Sequence, residues 1–146
     1  MTKLKKTKIL STTDNLLAVR EFVSAAAREQ GFSDEDTSKI ALAVDEACTN
    51  IIRHAYQNDP TREIEVSVER KKDRFEISIV DSGRRFDPSI LKPLDLKEHL
   101  THYRRGGLGV YLMKTLMDKV EYNMVEGHKN EVRLTKFFNS VQPEAR

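Results

Sequence analysis

The 146-residue chain has one cysteine and no tryptophan, and its longest uninterrupted apolar run, residues 40–44, is only five residues long. The single cysteine, Cys48, cannot form an internal disulfide, which excludes a disulfide-stapled scaffold and favours a reducing, cytoplasmic setting. A membrane-spanning helix needs about 20 apolar residues, so no membrane contact is expected. The basic segment 3–8 is not followed by the apolar stretch of about 7–15 residues that a secretory signal requires.

The chain also lacks a strong charge of one sign. Its 25 basic and 23 acidic side chains leave a formal net charge of +2 at pH 7. Such a balance gives little field for attracting a phosphate backbone or an anionic lipid, so nucleic acid is not expected as a partner. With 38% hydrophobic residues the chain is apolar enough to fold, and its length predicts a single domain over residues 1–146.

Apolar periodicity predicts a short first strand at residues 8–11 and then two helices. In the first, residues 15–30, apolar positions recur every three or four residues, and Gly31 follows as a C-terminal cap. Ser33 and Asp36 are typical of a helix N-terminus and predict a second helix that extends to about residue 56. Pro60 ends this pattern, because the residue before a proline avoids helical geometry.

The remaining chain predicts strands, one further helix and a long connection. Alternating apolar residues indicate a hairpin with strands at 64–68 and 75–79, and two last strands at about 120–126 and 131–138. A helix is predicted at about 110–118. Helices and hairpins are grouped rather than strictly alternating, so we expect an α+β fold with one helical layer on a mostly antiparallel sheet. The aperiodic span 82–105 is long enough to be functional.

Helix two carries the first candidate site. Glu46 and Asn50 are four residues apart, which places them within about 40° of each other on one helical face. A carboxylate and an amide oxygen are ligand types that suit Mg²⁺, and a carboxylate can also accept a proton. Taken alone, such a pair is more often an ordinary solvated helix face.

Two further candidates lie where regular elements begin or end. Asp81 ends a buried strand, where it could accept a hydrogen bond from a ligand amine, and Gly83 leaves room for a flat ring. Gly106, Gly107 and Gly109 precede a helix whose free N–H groups and positive dipole end suit a phosphate. Each feature alone is also consistent with a simple turn. Four of the six glycines in the chain nevertheless lie at these two junctions.

In this order, residues 45–50, 81–88 and 106–118 resemble the ATP-binding boxes of the GHKL superfamily of ATPases. Within that superfamily, the Phe-Asp-Pro ending at Pro88 and the Leu-Met-Asp ending at Asp118 are most similar to bacterial anti-sigma factors that are also serine-protein kinases. The resemblance covers about residues 9–138. It implies a two-layer α/β sandwich of the histidine-kinase-like type, with a mixed, mostly antiparallel sheet and an ATP lid at about residues 84–105.

The resemblance also implies roles for individual residues. Asn50 would coordinate the Mg²⁺ that bridges the ATP phosphates, and Glu46 would act as general base toward a serine hydroxyl. Asp81 would accept the adenine amine, with Gly83 beside the ring. The phosphates would be bound by Arg105, Gly106, Gly107, Leu108 and Gly109.

The function implied is that of an anti-sigma factor and serine/threonine-protein kinase. It would transfer the γ-phosphate of ATP to a small antagonist protein, bind a sigma factor, and form a homodimer. Arg20 matches a position implicated in partner contact, although a solvated helix arginine is an equally good interpretation. An ATP-dependent partner-binding switch without kinase activity is the alternative, and the presence of both Glu46 and Asn50 argues against it.

The chain departs from the family pattern at two places. Asn130 and Glu131 stand where the family often has threonines, one of which helps to bind adenine. That contact is therefore either lost or made by Asn130. Arg85 replaces a second glycine found in the broader superfamily.

Overall fold

The computed structural model describes residues 3–85, 112–125 and 127–138. Within these ranges, five strands form one sheet with the order β1-β2-β3-β5-β4. The strands are β1 (Lys3–Leu10), β2 (Glu63–Arg70), β3 (Arg74–Asp81), β4 (Lys119–Val125) and β5 (Lys129–Phe137). All four neighbouring pairs of these strands are antiparallel, so the described part of the sheet is more uniform than the expected mixed, mostly antiparallel arrangement.

Two long helices precede the second strand. A 3₁₀ turn, Thr13–Asn15, leads into α1 (Leu16–Glu29), and α2 (Asp34–Asn50) follows after a short connection. The predicted cap of α2 is confirmed, since the Ser33 hydroxyl accepts a hydrogen bond from the Asp36 N–H at 3.0 Å. Residues 112–116 are helical as well. No helix in the described part of the chain is long and apolar enough to cross a bilayer.

One hydrophobic core joins the helices to one face of the sheet. Alternate residues of β2 and β3 point toward the helices and are buried, as the predicted hairpin requires. Val23 of α1, Val44 of α2 and Leu134 of β5 meet them with no exposed surface. Fully burying a side chain of this size contributes about 1.5–3 kcal/mol, so this face holds the two layers together.

Two predicted boundaries were wrong. Strand β1 begins at Lys3 rather than at residue 8, and it pairs with the full length of β2 from Lys3 to Leu10. Its early residues are mostly lysines without an apolar period, and lysines are common on edge strands because they discourage further pairing. The last helix also ends before residue 118, because the Asp118 N–H donates to the Thr135 carbonyl at 2.9 Å and thereby joins the sheet.

Candidate functional site

A pocket opens between the end of α2 and the adjoining ends of β3, β5 and the helical residues 112–116. Its walls are largely apolar, and polar groups enter from both sides. The apolar lining consists of Ala47, Ile51, Ala55, Met113 and Val132. Asn50 projects from the helical side, and Asp81 and Asn130 from the sheet side. An apolar cleft with a few polar groups is the usual form of a small-molecule site.

Asp81 is the last residue of β3 and only 4% exposed. Its Oδ1 atom accepts hydrogen bonds from the Gly83 N–H at 2.8 Å and from Asn130 Nδ2 at 3.0 Å. Among the described residues nothing donates to Oδ2, which is therefore available to a ligand amine. Burial raises the pKa of Asp81, although the hydrogen bonds from Asn130 and Gly83 and the positive charge of Arg62 act in the opposite direction.

Gly83 packs directly against the C-terminal end of the α2 segment. A Cβ atom at this position would lie 2.5 Å from the Ala55 carbonyl oxygen and 2.6 Å from Tyr56 Cδ1. The same carbonyl accepts the Arg84 N–H at 2.8 Å, and the Tyr56 hydroxyl accepts the Ser82 N–H at 2.8 Å. Glycine is therefore needed here for close backbone packing, which is a different reason from the predicted room for a flat ring.

Asn50 lines the pocket from the C-terminal end of α2, and Glu46 lies one turn earlier on the same helix, outside the pocket lining. Asn50 is 9% exposed, and within the described residues its Nδ2 atom has no hydrogen-bond partner. A buried amide left unpaired costs about 1–3 kcal/mol, so a ligand that supplied an acceptor here would be bound more tightly. Glu46 is half-buried.

Asn50 is a suitable ligand for Mg²⁺, because the side-chain amide of Asn50 also carries a carbonyl oxygen, and this cation prefers oxygen ligands. The ranges that the structure describes contain no group of three or more His, Cys, Asp or Glu side chains able to hold a metal ion. A cation bound at Asn50 would thus take most of its oxygen ligands from the bound molecule or from water.

The helical segment extends to about residue 56, as predicted, but its last turn was not predicted to be π-helical. This π turn, Ile51–Ala55, is closed by the Tyr56 N–H donating to the Ile51 carbonyl at 2.9 Å. Gln57 and Asn58 then take positive φ values of 50° and 64°. The turn lines the pocket through Ile51 and Ala55, and π turns occur frequently at functional sites. Apolar periodicity alone does not distinguish it from a regular α-helical turn.

Asn130 lies opposite Asp81 in the register of β3 and β5. Besides its bond to Asp81, its Nδ2 atom donates to the Gly83 carbonyl oxygen at 3.1 Å. The neighbouring Glu131 accepts hydrogen bonds from Ser78 and Asn123. Burial alone would raise the pKa of Glu131, but these hydrogen bonds and the Arg133 charge hold it below its ordinary value.

The remaining predicted site residues fall into two groups. Those predicted to bind phosphate lie outside the described residues, as does the predicted lid beyond residue 85: Arg105, Gly106, Gly107, Leu108 and Gly109. Arg85 is described and lines the pocket. Arg20 lies on α1, where its Nε atom is 3.4 Å from Asp45 Oδ1 of α2.

Comparison with known proteins agrees with this geometry. Residues 9–136 match the family described as histidine kinase-like ATPase domain. A protein named serine-protein kinase RsbW from Bacillus mycoides is 35% identical over 141 residues, covering 94% of this chain and 86% of the relative. Its namesake from Bacillus licheniformis is 38% identical over 125 residues, covering 83% of this chain and 77% of that protein.

Two solved structures share the fold at low sequence identity. The structure of the SiaB-SiaC complex from Pseudomonas aeruginosa matches with a TM-score of 0.68 and 14% identity, over 90% of this chain and 88% of that one. A Mycobacterium tuberculosis protein with RsbU and RsbW domains matches with a TM-score of 0.61 and 16% identity. The match covers 92% of this chain and only 32% of that longer one.

In the described part of the chain, the antiparallel sheet, the helical layer on one of its faces and the pocket at the end of α2 confirm the fold class that the sequence predicted. The family match spans nearly all of this architecture, from β1 to β5. This chain therefore belongs to the histidine kinase-like ATPase family, on the branch that contains the serine-protein kinases named RsbW.

Proposed function

We propose that this chain is an ATP-dependent serine/threonine-protein kinase that also acts as an anti-sigma factor. The observation that supports this most is the composition of the pocket. A buried carboxylate, Asp81, and a buried amide, Asn50, line the same pocket from opposite sides, and within the described residues Asp81 Oδ2 and Asn50 Nδ2 have no hydrogen-bond partner. The names of the relatives that match over most of their length support the kinase assignment.

In this proposal the nucleotide base enters the apolar pocket and its exocyclic amine donates to Asp81 Oδ2. Asn50 would hold the Mg²⁺, which would neutralise phosphate charge when bound. We further propose that Arg105, Gly106, Gly107, Leu108 and Gly109 bind the phosphates. Phosphoryl transfer depends mainly on positioning and charge stabilisation, and these groups provide both.

Glu46 is the general base of the proposed reaction. Its carboxylate takes the proton of the serine or threonine hydroxyl as that oxygen bonds to the γ-phosphorus. The bond from the γ-phosphorus to the bridging oxygen breaks at the same time, and ADP leaves with the electron pair. A positioned general base contributes about 10²–10⁴-fold to the rate of such a step.

The proposed partners are a small antagonist protein, which is phosphorylated, and a sigma factor, which is bound. The structural match to a protein solved in a SiaB-SiaC complex supports the expectation of a protein partner. We place Arg20 at a partner contact, because 48% of its side-chain surface is exposed and its ion pair with Asp45 is long. We also propose that the kinase forms a homodimer and acts in the cytoplasm.

Mass spectrometry of a candidate antagonist, incubated with the full chain and Mg-ATP, tests the kinase assignment. We expect the antagonist to gain the mass of one phosphoryl group. Glu46→Gln should slow this transfer by about 10²-fold or more while nucleotide binding remains. Glu35→Gln, a matched change in the first turn of the same helix, should transfer at the wild-type rate.

A thermal unfolding series isolates the binding step. ATP at about 100 times its Kd should stabilise the fold by roughly 2.7 kcal/mol. Asn50→Ala should lose the Mg²⁺-dependent part of this shift without loss of stability in the absence of nucleotide, since its Nδ2 atom bonds to nothing in the described residues. Unchanged transfer by Glu46→Gln contradicts the assigned base. ATP-dependent capture of the antagonist with no change in its mass supports the non-catalytic switch instead.

A further inference from the structure

We propose that Asn130 determines the base specificity of the pocket: it fixes the Asp81 carboxylate so that the site accepts a 6-amino purine and rejects a 6-oxo purine. This inference rests on the proposed function, because it concerns the base of the nucleotide bound there. It assigns a positioning role to a residue of β5 that lies 49 positions along the chain from its partner.

Both donor hydrogens of Asn130 are engaged. Its Nδ2 atom lies 3.0 Å from Asp81 Oδ1 and 3.1 Å from the Gly83 carbonyl oxygen. A side-chain amide has two N–H donors on nitrogen and only acceptor capacity on oxygen. Turning the amide over would place its oxygen against two other acceptors, so these two neighbours fix which way the group faces.

This orientation decides what the pocket offers to a ligand. Asp81 Oδ1 is already occupied by the Gly83 N–H and by Asn130. The groups left over at this corner are Asp81 Oδ2 and Asn130 Oδ1, neither of which has a donor among the described residues. Both are acceptors, so this corner is complementary to a group that carries two N–H donors.

The amino group of a 6-amino purine carries two N–H donors. A 6-oxo purine has a carbonyl oxygen at the same position, which would face the acceptor oxygens Asp81 Oδ2 and Asn130 Oδ1. A buried site built for a hydrogen bond discriminates strongly against an analogue that cannot make it, because its polar groups are then left unpaired. Asn130 is needed for this selectivity since a carboxylate that rotates freely could turn away from the mismatched oxygen. Its second bond, to Gly83, also prevents Asn130 itself from turning.

The test compares equilibrium binding of ATP and inosine triphosphate, which differ at the 6-position of the base, to the full chain. We expect the wild type to bind ATP at least about 10²-fold more tightly. Asn130→Leu, similar in size but without donors, should reduce this ratio by about 10-fold or more, mainly through weaker ATP binding. Asn130→Thr keeps one donor and should give an intermediate ratio.

Asn15→Leu is the matched control, because it removes an amide that donates to the Leu10 carbonyl and the Thr12 hydroxyl, neither of which lines the pocket. Its ratio of ATP to inosine triphosphate affinity should equal that of the wild type. Equal binding of both nucleotides by the wild type overturns the specificity role and leaves the proposed kinase function intact. An unchanged ratio in folded Asn130→Leu or Asn130→Thr also overturns it. Binding of neither nucleotide overturns both.

Discussion

Replacement of Gly83 by alanine tests how closely the chain after β3 packs on the end of α2. The added Cβ would lie 2.5 Å from the Ala55 carbonyl oxygen and 2.8 Å from the Ala55 carbonyl carbon, distances that a real Cβ does not tolerate. Since the obstacle is backbone, one of the two segments must move. Overpacking of this kind costs about 1–3 kcal/mol.

Movement at this point would also stretch the hydrogen bond from the Arg84 N–H to Ala55, worth about 0.5–1.5 kcal/mol. Together these effects predict a loss of roughly 2–4 kcal/mol, which lowers Tm by roughly 5–15 °C for a domain of this size. Nucleotide affinity should fall as well, because Gly83 is bonded through its N–H to Asp81 and through its carbonyl to Asn130.

Ser82→Ala is the control for this measurement, since it alters the adjacent residue without adding an atom. It removes an exposed hydroxyl that accepts from Arg62 at 3.2 Å, while the Arg62 bond to the Ser82 carbonyl at 3.0 Å remains. Its stability should change by less than about 0.5 kcal/mol. Thermal unfolding of Gly83→Ala and Ser82→Ala, measured under the same conditions, tests the close packing at Gly83. Equal Tm values for the two variants would refute the close packing.

Two further predictions concern buried ionisable groups. Asp81→Asn should abolish the ATP-dependent thermal shift yet leave Tm at pH 7 equal to or above that of the wild type, because an asparagine oxygen can keep both hydrogen bonds to Oδ1 without the cost of burying a charge. Burial raises the pKa of Cys48 to about 12, with the Asp45 charge adding to the effect, so the fully buried thiol should react with a disulfide reagent at pH 8 only when the protein is unfolded by denaturant.

The stability difference between Asp81→Asn and the wild type should depend on pH. A carboxyl group whose pKa is raised by folding binds its proton more tightly in the folded state, so its contribution to stability falls as pH rises from its ordinary pKa to the raised value. The advantage of Asp81→Asn should therefore disappear below about pH 4. A variant less stable than the wild type at pH 7, or rapid labelling of Cys48 in the native protein, contradicts the corresponding prediction.

Local patterns in the sequence predicted much of the fold. The alternation in β2 and β3 and the Ser33 cap are signals within a few residues, and both are confirmed. The pocket lining residues Asn50 and Asp81 were also identified, through the motifs they belong to.

What the sequence did not predict depends on contacts between distant segments. The position of Asn130 beside Asp81 follows from the register of two strands far apart in sequence. The packing of Gly83 depends on where the chain places the π-turn residue Ala55. The lysine-rich first half of β1 is a strand because β2 offers it a backbone partner, and no property of its side chains indicates this.

The pairing of β3 with β5 has a consequence for the order in which the molecule assembles. The α1–α2 hairpin and the β2–β3 hairpin join neighbouring segments and can form early. Bringing Asp81 to Asn130 closes a stretch of 49 residues, with an entropic cost on the order of 3 kcal/mol. The pocket therefore forms only when this long-range pairing has formed. A ligand of this pocket would bind only the state in which the sheet is complete, and it should therefore slow the unfolding of the protein.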